Sequence, residues 1–151
     1  MERLEAAVMY GADAVYLGST SLGMRAAPQN FNPEQLKSAV ELCHGKGIKV
    51  YQTCNVLAHN TDLEKLPEII EGAVEAKVDA MIISDMGVLS IVKKLAPQME
   101  IHISTQTGLV NHAAANAMYD MGAKRVVLAR ELSLEEIAEI RAELENSGYI
   151  R

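Results

Sequence analysis

The stretch RVVLARELSLEEI, residues 125–137, contains the signals that decide the fold. It opens with the apolar run 126–129, which is typical of a strand buried on both faces. Two opposite charges, Arg130 and Glu131, follow this run. Ser133 and Glu136 then form the sequence pattern of a helix capping box. The stretch therefore predicts a buried strand that ends in a polar turn and leads directly into a helix.

The same plan is repeated along the whole chain. Short apolar, often β-branched runs predict five strands, at residues 14–17, 48–53, 80–84, 100–103 and 125–129. Apolar residues at i, i+3, i+4 and i+7 predict helices in the intervening segments, for example around 36–43, 66–73 and 114–121. Unbroken alternation of strands and helices favours a parallel sheet with right-handed crossovers.

The type of parallel sheet is narrowed by a missing motif. No glycine-rich phosphate loop of the GxGxxG or GxxxxGK[ST] type follows any predicted strand, so a β/α barrel is favoured over a doubly wound sheet. A complete barrel has eight strands in about 250 residues. We expect an α/β fold, a partial TIM-type barrel of about five parallel strands and about six helices, forming a single domain over residues 1–151. The first strand and the last two strand–helix units of a full barrel are expected to be absent.

Composition and charge limit the partners. The chain is 49% hydrophobic and 23% charged, with a net charge of −6 and no run of Lys or Arg, so no direct nucleic-acid signal is present. The apolar runs are too short to span a membrane. Two cysteines outside CxxC spacing favour a reduced, cytoplasmic protein. Because a five-strand arc leaves two open edges, we expect a homo-oligomer or a missing partner region that completes the barrel.

Polar residues at the predicted strand ends form the candidate site, because β/α barrels bind ligands at the C-terminal ends of their strands. A peptide or another polar substrate is expected there. The catalytic candidates are Asp85, Ser104 and Glu131. The substrate-binding candidates are Arg25, Asn55, Gln106 and Arg130.

Several of these residues have alternative interpretations. Asp85 precedes a predicted helix and is equally well explained as its N-cap. A triad of Ser104, His102 and Asp85 is disfavoured, because residues two apart on a strand lie about 7 Å apart. His102 is better explained as a polar residue inside the barrel that is hydrogen-bonded to a neighbour. Arg130 either binds an anionic or polar substrate or is paired locally, with Glu131 as the obvious partner.

Six segments in order, GADAVYLG, MRAAPQNF, VYQTCN, IISDMGVL, IHISTQTGLVN and RVVLARELSLEEI, resemble the N-terminal barrel region of the U32 peptidase family. The resemblance covers nearly the whole chain. It implies a β/α barrel and collagenase-like peptidase activity. Other members of that family act in hydroxylation of tRNA or ribosomal RNA bases or of ubiquinone, and several carry an iron–sulfur cluster on downstream cysteines.

Peptide-bond hydrolysis is therefore the first functional hypothesis. The alternatives are an RNA- or quinone-hydroxylation module and a non-catalytic half-barrel subunit or fragment. Whether this chain alone is an enzyme stays open. We expect no cofactor and no metal site within it. Cys43 falls on the apolar stripe of a helix and Cys54 lies in or beside a strand, so both are expected to pack in the core.

Overall fold

The computed structural model describes residues 1–18, 22 and 30–150. Its five strands form one parallel sheet in the order β1-β2-β3-β4-β5, which confirms the predicted α/β arc of five strands. The strands are β1 (Ala14–Gly18), β2 (Lys49–Cys54), β3 (Ala80–Ile83), β4 (Ile101–Ile103) and β5 (Arg125–Val126). Each strand pairs with its neighbour in sequence, as expected of successive strand–helix units.

Seven α-helices lie in the described part of the chain, against about six predicted. They are α1 (Glu2–Met9), α2 (Pro33–His44), α3 (Asn60–Leu63), α4 (Leu66–Ala76), α5 (Met86–Leu95), α6 (His112–Asp120) and α7 (Leu134–Asn146). A single 3₁₀ turn, Thr105–Thr107, follows β4. The additional helix is the short α3, since Pro67 lies in the first turn of α4 and the two helices are separate.

Local capping signals explain where two of the helices begin. The Asn32 side chain accepts a hydrogen bond from the Gln35 backbone N–H, and the Gln35 side chain accepts one from the Asn32 N–H. Ser133 and Glu136 form the same reciprocal pair at the start of α7. Both satisfy N–H groups that the first helical turn leaves without an intrahelical partner. The predicted capping box is therefore confirmed.

The main core lies between the helices and one face of the sheet. The predicted stripe of α2, which includes Cys43, is buried, and Val50, Met81 and Ile101 of the strands are fully buried against the helices. In α6 the predicted stripe is partly wrong, because the buried residues are Ala115 and Met118. Ala115 packs with Ile140 and Leu144 of α7.

The fifth strand differs most from its prediction. β5 is only two residues long, and Val127 beyond it is exposed. Backbone hydrogen bonds from Val127 to Ile103 and from Ala129 to Leu109, both 2.9 Å, keep the segment alongside β4. The expectation of burial on both faces is wrong for the described residues, because the segment lies at the edge of this sheet.

The opposite face of the sheet carries a different set of side chains. In the strand register Tyr16 lies opposite Tyr51, and Ile82 lies opposite His102, which in turn lies opposite Arg125. Alternate residues of a strand point to opposite faces, so these side chains share the face away from the main core. We call this face the inner wall, because it would face the interior of a closed barrel.

Candidate functional site

A cleft of about 1420 Å³ lies beside α1 and β1 and extends to residues that follow the C-terminal ends of β2, β4 and β5. Its lining includes rings, amides, hydroxyls and groups of both charges, among them Tyr16, Phe31, Asn55, Gln106, Thr53, Thr105, Glu2, Arg3 and Arg130. The parallel strands bring these residues together although they are distant in sequence. The cleft thus lies where a β/α barrel is expected to hold its ligand.

Three of the predicted substrate-binding residues line this cleft. They are Asn55, Gln106 and Arg130, which follow β2, β4 and β5 respectively. The fourth, Arg25, lies outside the described residues. Arg130 is exposed, and within residues 1–18, 22 and 30–150 it forms no ion pair with Glu131 or any other carboxylate. Its guanidinium group is therefore available to a ligand.

The three catalytic candidates are arranged differently. Asp85, Ser104 and Glu131 do not belong to the lining of the cleft. Asp85 Oδ1 accepts a hydrogen bond from the Val88 N–H at 3.0 Å and caps α5, as the alternative interpretation predicts. Glu131 lies exposed in the turn before α7. Catalytic roles for all three remain predictions.

Ser104 belongs to a hydrogen-bonded network that links the ends of three strands. Its hydroxyl accepts the Gln106 N–H at 3.3 Å. Thr107 Oγ1 donates to the Ser84 carbonyl at 3.3 Å, and Ser84 Oγ donates to the Asn55 carbonyl at 3.3 Å. The network ties the turn after β4 to the ends of β3 and β2. It therefore fixes the backbone from which the Asn55 and Gln106 side chains extend.

His102 takes no part in a triad. It is 1% exposed, and its Nε2 donates to Glu100 Oε1 at 2.9 Å, away from the C-terminal ends of the strands. The interpretation of His102 as a polar residue bonded to a neighbour inside the fold is thus confirmed. The described contacts do not join Ser104, His102 and Asp85 into a nucleophile–base arrangement.

The aromatic part of the inner wall was not predicted from the sequence. Tyr51 lies edge-on against His102, with ring centroids 4.7 Å apart, and Tyr16 lies edge-on against Tyr51 at 5.6 Å. The Arg125 guanidinium lies 5.8 Å from the centre of the Tyr51 ring. Alternation within each strand was the available signal, but it does not reveal which residues of separate strands meet.

Both cysteines are buried and have a thiol whose pKa is raised. Burial, and secondarily the charge of Asp85, raises the pKa of Cys54 to about 12, so this thiol stays protonated. Burial, and secondarily the charge of Asp79, also raises the pKa of Cys43. Among the described residues no three His, Cys, Asp or Glu side chains are grouped to hold a metal ion. No helix in that part of the chain has the length and apolarity needed to cross a bilayer.

The parallel α/β sheet with a cleft at its strand ends defines a protein of the β/α-barrel class. The family model for peptidase family U32 matches residues 1–149, and the chain belongs to this family. The structure resembles that of the U32 peptidase Mk0906, with a TM-score of 0.73 and 16% identity over 93% of this chain and 60% of that one. It also resembles the YdjI aldolase of Escherichia coli K12, with a TM-score of 0.62, 16% identity and coverage of 99% and 62%. At these identities the likenesses show the fold alone.

Curated relatives include two kinds of protein. The chain is 37% identical to tRNA hydroxylation protein P1 of Bacillus subtilis, over 96% of this chain and 34% of that protein. It is 40% identical to tRNA hydroxylation protein P of Escherichia coli, with coverage of 93% and 31%. It is also 37% identical to a collagenase of Porphyromonas gingivalis, with coverage of 92% and 33%. The chain thus spans about a third of the length of these relatives.

Proposed function

We propose that this chain is the nucleotide-binding part of a tRNA hydroxylation protein. The observation that carries the proposal is the similarity to relatives of that name in Bacillus subtilis and Escherichia coli, at 37% and 40% identity over more than nine-tenths of the chain. The proposal replaces peptide-bond hydrolysis as the first functional hypothesis. The hydroxylation alternative of the sequence analysis becomes the leading one.

The cleft chemistry supports binding of a single nucleotide. Gln106 and Asn55 carry amides, which donate to and accept from the edges of an unstacked base. Arg130 carries a planar guanidinium that pairs with a phosphate or another anionic group. Sequence-specific RNA recognition commonly uses such hydrogen bonds to bases that are splayed out of a loop.

The chain is acidic, which limits its expected contribution to tRNA binding. With a net charge of −6, it is poorly suited to hold the tRNA backbone, whose binding depends on neutralised phosphates. We therefore assign to this chain one base and its nearest phosphate. We propose that the remaining contacts come from regions outside this chain, or from a second copy that covers the open sheet edges.

An iron–sulfur cluster does not fit the residues of this chain. Cluster ligation requires thiolates, and the two buried cysteines each have a raised pKa and lie on different elements. We propose that any cluster of the complete protein is held by residues outside this chain.

Peptide hydrolysis remains a second candidate, which the collagenase relative favours. Its weakness is chemical. Ser104 Oγ already accepts a backbone N–H, and the described contacts give it no general base. Asp85 Oδ1 is likewise occupied in capping α5.

The two candidates are separated by testing one protein on both substrates. The full-length gene product is expressed in an Escherichia coli strain that lacks its own tRNA hydroxylation protein P. Nucleosides from its tRNA are then analysed by mass spectrometry, and the purified protein is incubated with a collagen-like peptide. We expect a tRNA nucleoside heavier by one oxygen atom and an intact peptide. Unmodified tRNA together with a cleaved peptide would reverse the assignment.

A further inference from the structure

Three hydroxyl groups connect the C-terminal ends of neighbouring strands. Thr53 Oγ1 donates a hydrogen bond to the Leu17 carbonyl and so joins the end of β2 to β1. Ser84 Oγ, after β3, donates to the Asn55 carbonyl after β2, and Thr107 Oγ1, after β4, donates to the Ser84 carbonyl. Each of these oxygen–oxygen distances is 3.3 Å. In every bond the hydroxyl comes from the later strand or the residues that follow it, and the carbonyl comes from the strand before.

Ser84 is the residue at which two of these bonds meet. Its hydroxyl holds the backbone of Asn55, and its carbonyl accepts the hydroxyl of Thr107. Ser84 is only 4% exposed, and Thr107 is half-buried, so water has little access to either bond. Because buried backbone carbonyls require a hydrogen-bond partner, loss of either hydroxyl would destabilise the backbone at this end of the sheet.

The turn after β4 carries Gln106 next to Thr107. The Ser104 N–H donates to the Ile83 carbonyl at 2.8 Å, and the Ser104 hydroxyl accepts the Gln106 N–H at 3.3 Å. The Thr107 N–H donates to the Ser104 carbonyl at 3.0 Å. The turn ends at Gly108, whose φ of 70° lies in the left-handed region that favours glycine. The Gln106 backbone is therefore held from both sides, by Ser104 and by Thr107.

The bonds of Ser84 and Thr107 lie in the middle of the sheet. The strands β2, β3 and β4 each pair with a neighbouring strand on both sides. The donors and acceptors of both bonds directly follow these inner strands. The bonds are therefore independent of what covers the open edges of the sheet, and the same arrangement is expected in the full-length protein.

We propose that Ser84 and Thr107 are positioning residues, an inference that rests on the proposed function. They hold the two amides of the cleft, on Asn55 and Gln106, at a fixed separation. These amides follow β2 and β4, which are separated by β3, and the bonds of Ser84 connect their backbones across that strand. A site that is ordered before binding loses less conformational freedom when its ligand arrives. The two amides therefore act on one base as a unit.

Hydrogen exchange of the full-length protein tests the positioning itself, in the absence of RNA. Thr107→Val keeps the shape of the side chain and removes its hydroxyl, whereas Thr107→Ser keeps the hydroxyl. We expect Thr107→Val to accelerate exchange of the backbone N–H groups of residues 105–108 roughly five-fold, and Thr107→Ser to keep the wild-type rates. Ser38→Ala is the matched control, because it removes a hydroxyl that donates to a backbone carbonyl at 3.1 Å on the exposed side of α2. Unchanged exchange in Thr107→Val would overturn the inference.

Binding of RNA tests the consequence for the site. The probe is an unmodified tRNA transcript, and its Kd is measured for Asn55→Ala, Gln106→Ala and the double variant. We expect the double variant to weaken binding roughly five-fold less than the product of the two single effects, because both amides contact one base. With Thr107→Val added, the two effects should multiply. Thr107→Ser and Ser38→Ala should preserve the coupling of the wild type.

The coupling distinguishes positioning from a general loss of stability, which lowers the melting temperature without changing how two residues of a folded protein act together. Thermal unfolding verifies that each variant is folded, and Ser84→Ala, which removes the other bond, replaces Thr107→Val if that variant unfolds. Equal coupling in the wild type and in Thr107→Val would overturn the positioning role and leave the proposed function intact. Accelerated exchange in a protein that does not bind the transcript would support the positioning role and contradict the proposed function.

Discussion

Lys49 Nζ donates a hydrogen bond to Asp79 Oδ1 at 2.6 Å, at the end of the sheet opposite the candidate site. Asp79 Oδ2 also accepts the Val50 N–H and pairs with His44 Nε2, each at 2.8 Å. One carboxylate thus joins the end of α2 to the starts of β2 and β3. The Asp79 side chain is only 16% exposed and both of its oxygens are hydrogen-bonded, although an aspartate in a turn before a strand is ordinarily solvated.

The first prediction concerns acid stability. Partial burial raises the pKa of Asp79, but its hydrogen bonds from Lys49, Val50 and His44 outweigh burial and lower the pKa below its ordinary value of 3.8. A pKa lowered by folding means that the carboxylate stabilises the fold fully above pH 3.8 and loses this effect as pH falls through its folded pKa. We expect Asp79→Ala to lower the free energy of unfolding by about 2 kcal/mol at neutral pH. The free energy of unfolding of this variant should also decrease less than that of the wild type as pH falls.

Urea unfolding between neutral and acidic pH measures this effect. Asp13→Ala is the matched control, because Asp13 occupies the corresponding turn before β1 and is exposed. The control should change the free energy of unfolding by less than about 0.5 kcal/mol. Equal stability of the two variants at neutral pH would show that the Asp79 contacts do not stabilise the fold.

The second prediction separates capping from catalysis at Asp85. Asp85→Ala should lower stability by about 1 kcal/mol, whereas Asp85→Asn should retain the cap and the wild-type stability. We expect Asp85→Asn to retain activity as well, because its role is to start α5. Turnover of the full-length protein is the measurement. A stable Asp85→Asn that is slower by about a hundred-fold or more would instead identify Asp85 as a catalytic acid or base.

The third prediction concerns Arg130. Removal of a guanidinium group that pairs with a phosphate should weaken tRNA binding roughly ten-fold. Because one phosphate contact is lost, the slope of the logarithm of the binding constant against the logarithm of salt concentration should also decrease by about 1. Titration of Arg130→Ala at several salt concentrations measures both effects. Lys124→Ala removes the same charge at the opposite end of the sheet and should bind as the wild type does. Indistinguishable affinities would remove Arg130 from the site.

The fourth prediction tests the support of the inner wall. His102→Ala should lower the free energy of unfolding by about 2–3 kcal/mol, because it removes a buried ring, its contact with Tyr51 and its bond to Glu100. His112, exposed at the start of α6, is the matched control. His112→Ala should change the free energy by less than about 0.5 kcal/mol. A similar urea midpoint for the two variants would contradict this account of the wall.

Local sequence signals predicted the elements well, because their physical cause is local. The capping box of Ser133 and Glu136 was predicted from residues three positions apart, and it is formed. The number and order of strands followed from the alternation of periodicities. The exposure of Val127 could not be predicted from the sequence pattern. An apolar run indicates a preference for burial but does not identify what covers the strand.

The candidate site was predictable only in part. Asn55, Gln106 and Arg130 line one cleft, as expected because strand ends of a barrel meet at one edge, and their role in binding stays a prediction. The contacts among Tyr16, Tyr51 and His102 depend on the register between strands, which no local pattern specifies. Asp85 was left open because an N-cap and a catalytic carboxylate at a strand end have the same sequence pattern.

The central claim is tested most directly by the hydroxylated-nucleoside content of tRNA from the Escherichia coli strain that lacks its own tRNA hydroxylation protein P. The strain carries the full-length gene, an empty vector or the Arg130→Ala variant. We predict that the gene restores a nucleoside heavier by one oxygen atom, that the vector does not, and that Arg130→Ala restores less of it. Folded protein present at normal levels, with tRNA as unmodified as in the vector strain, would contradict the account.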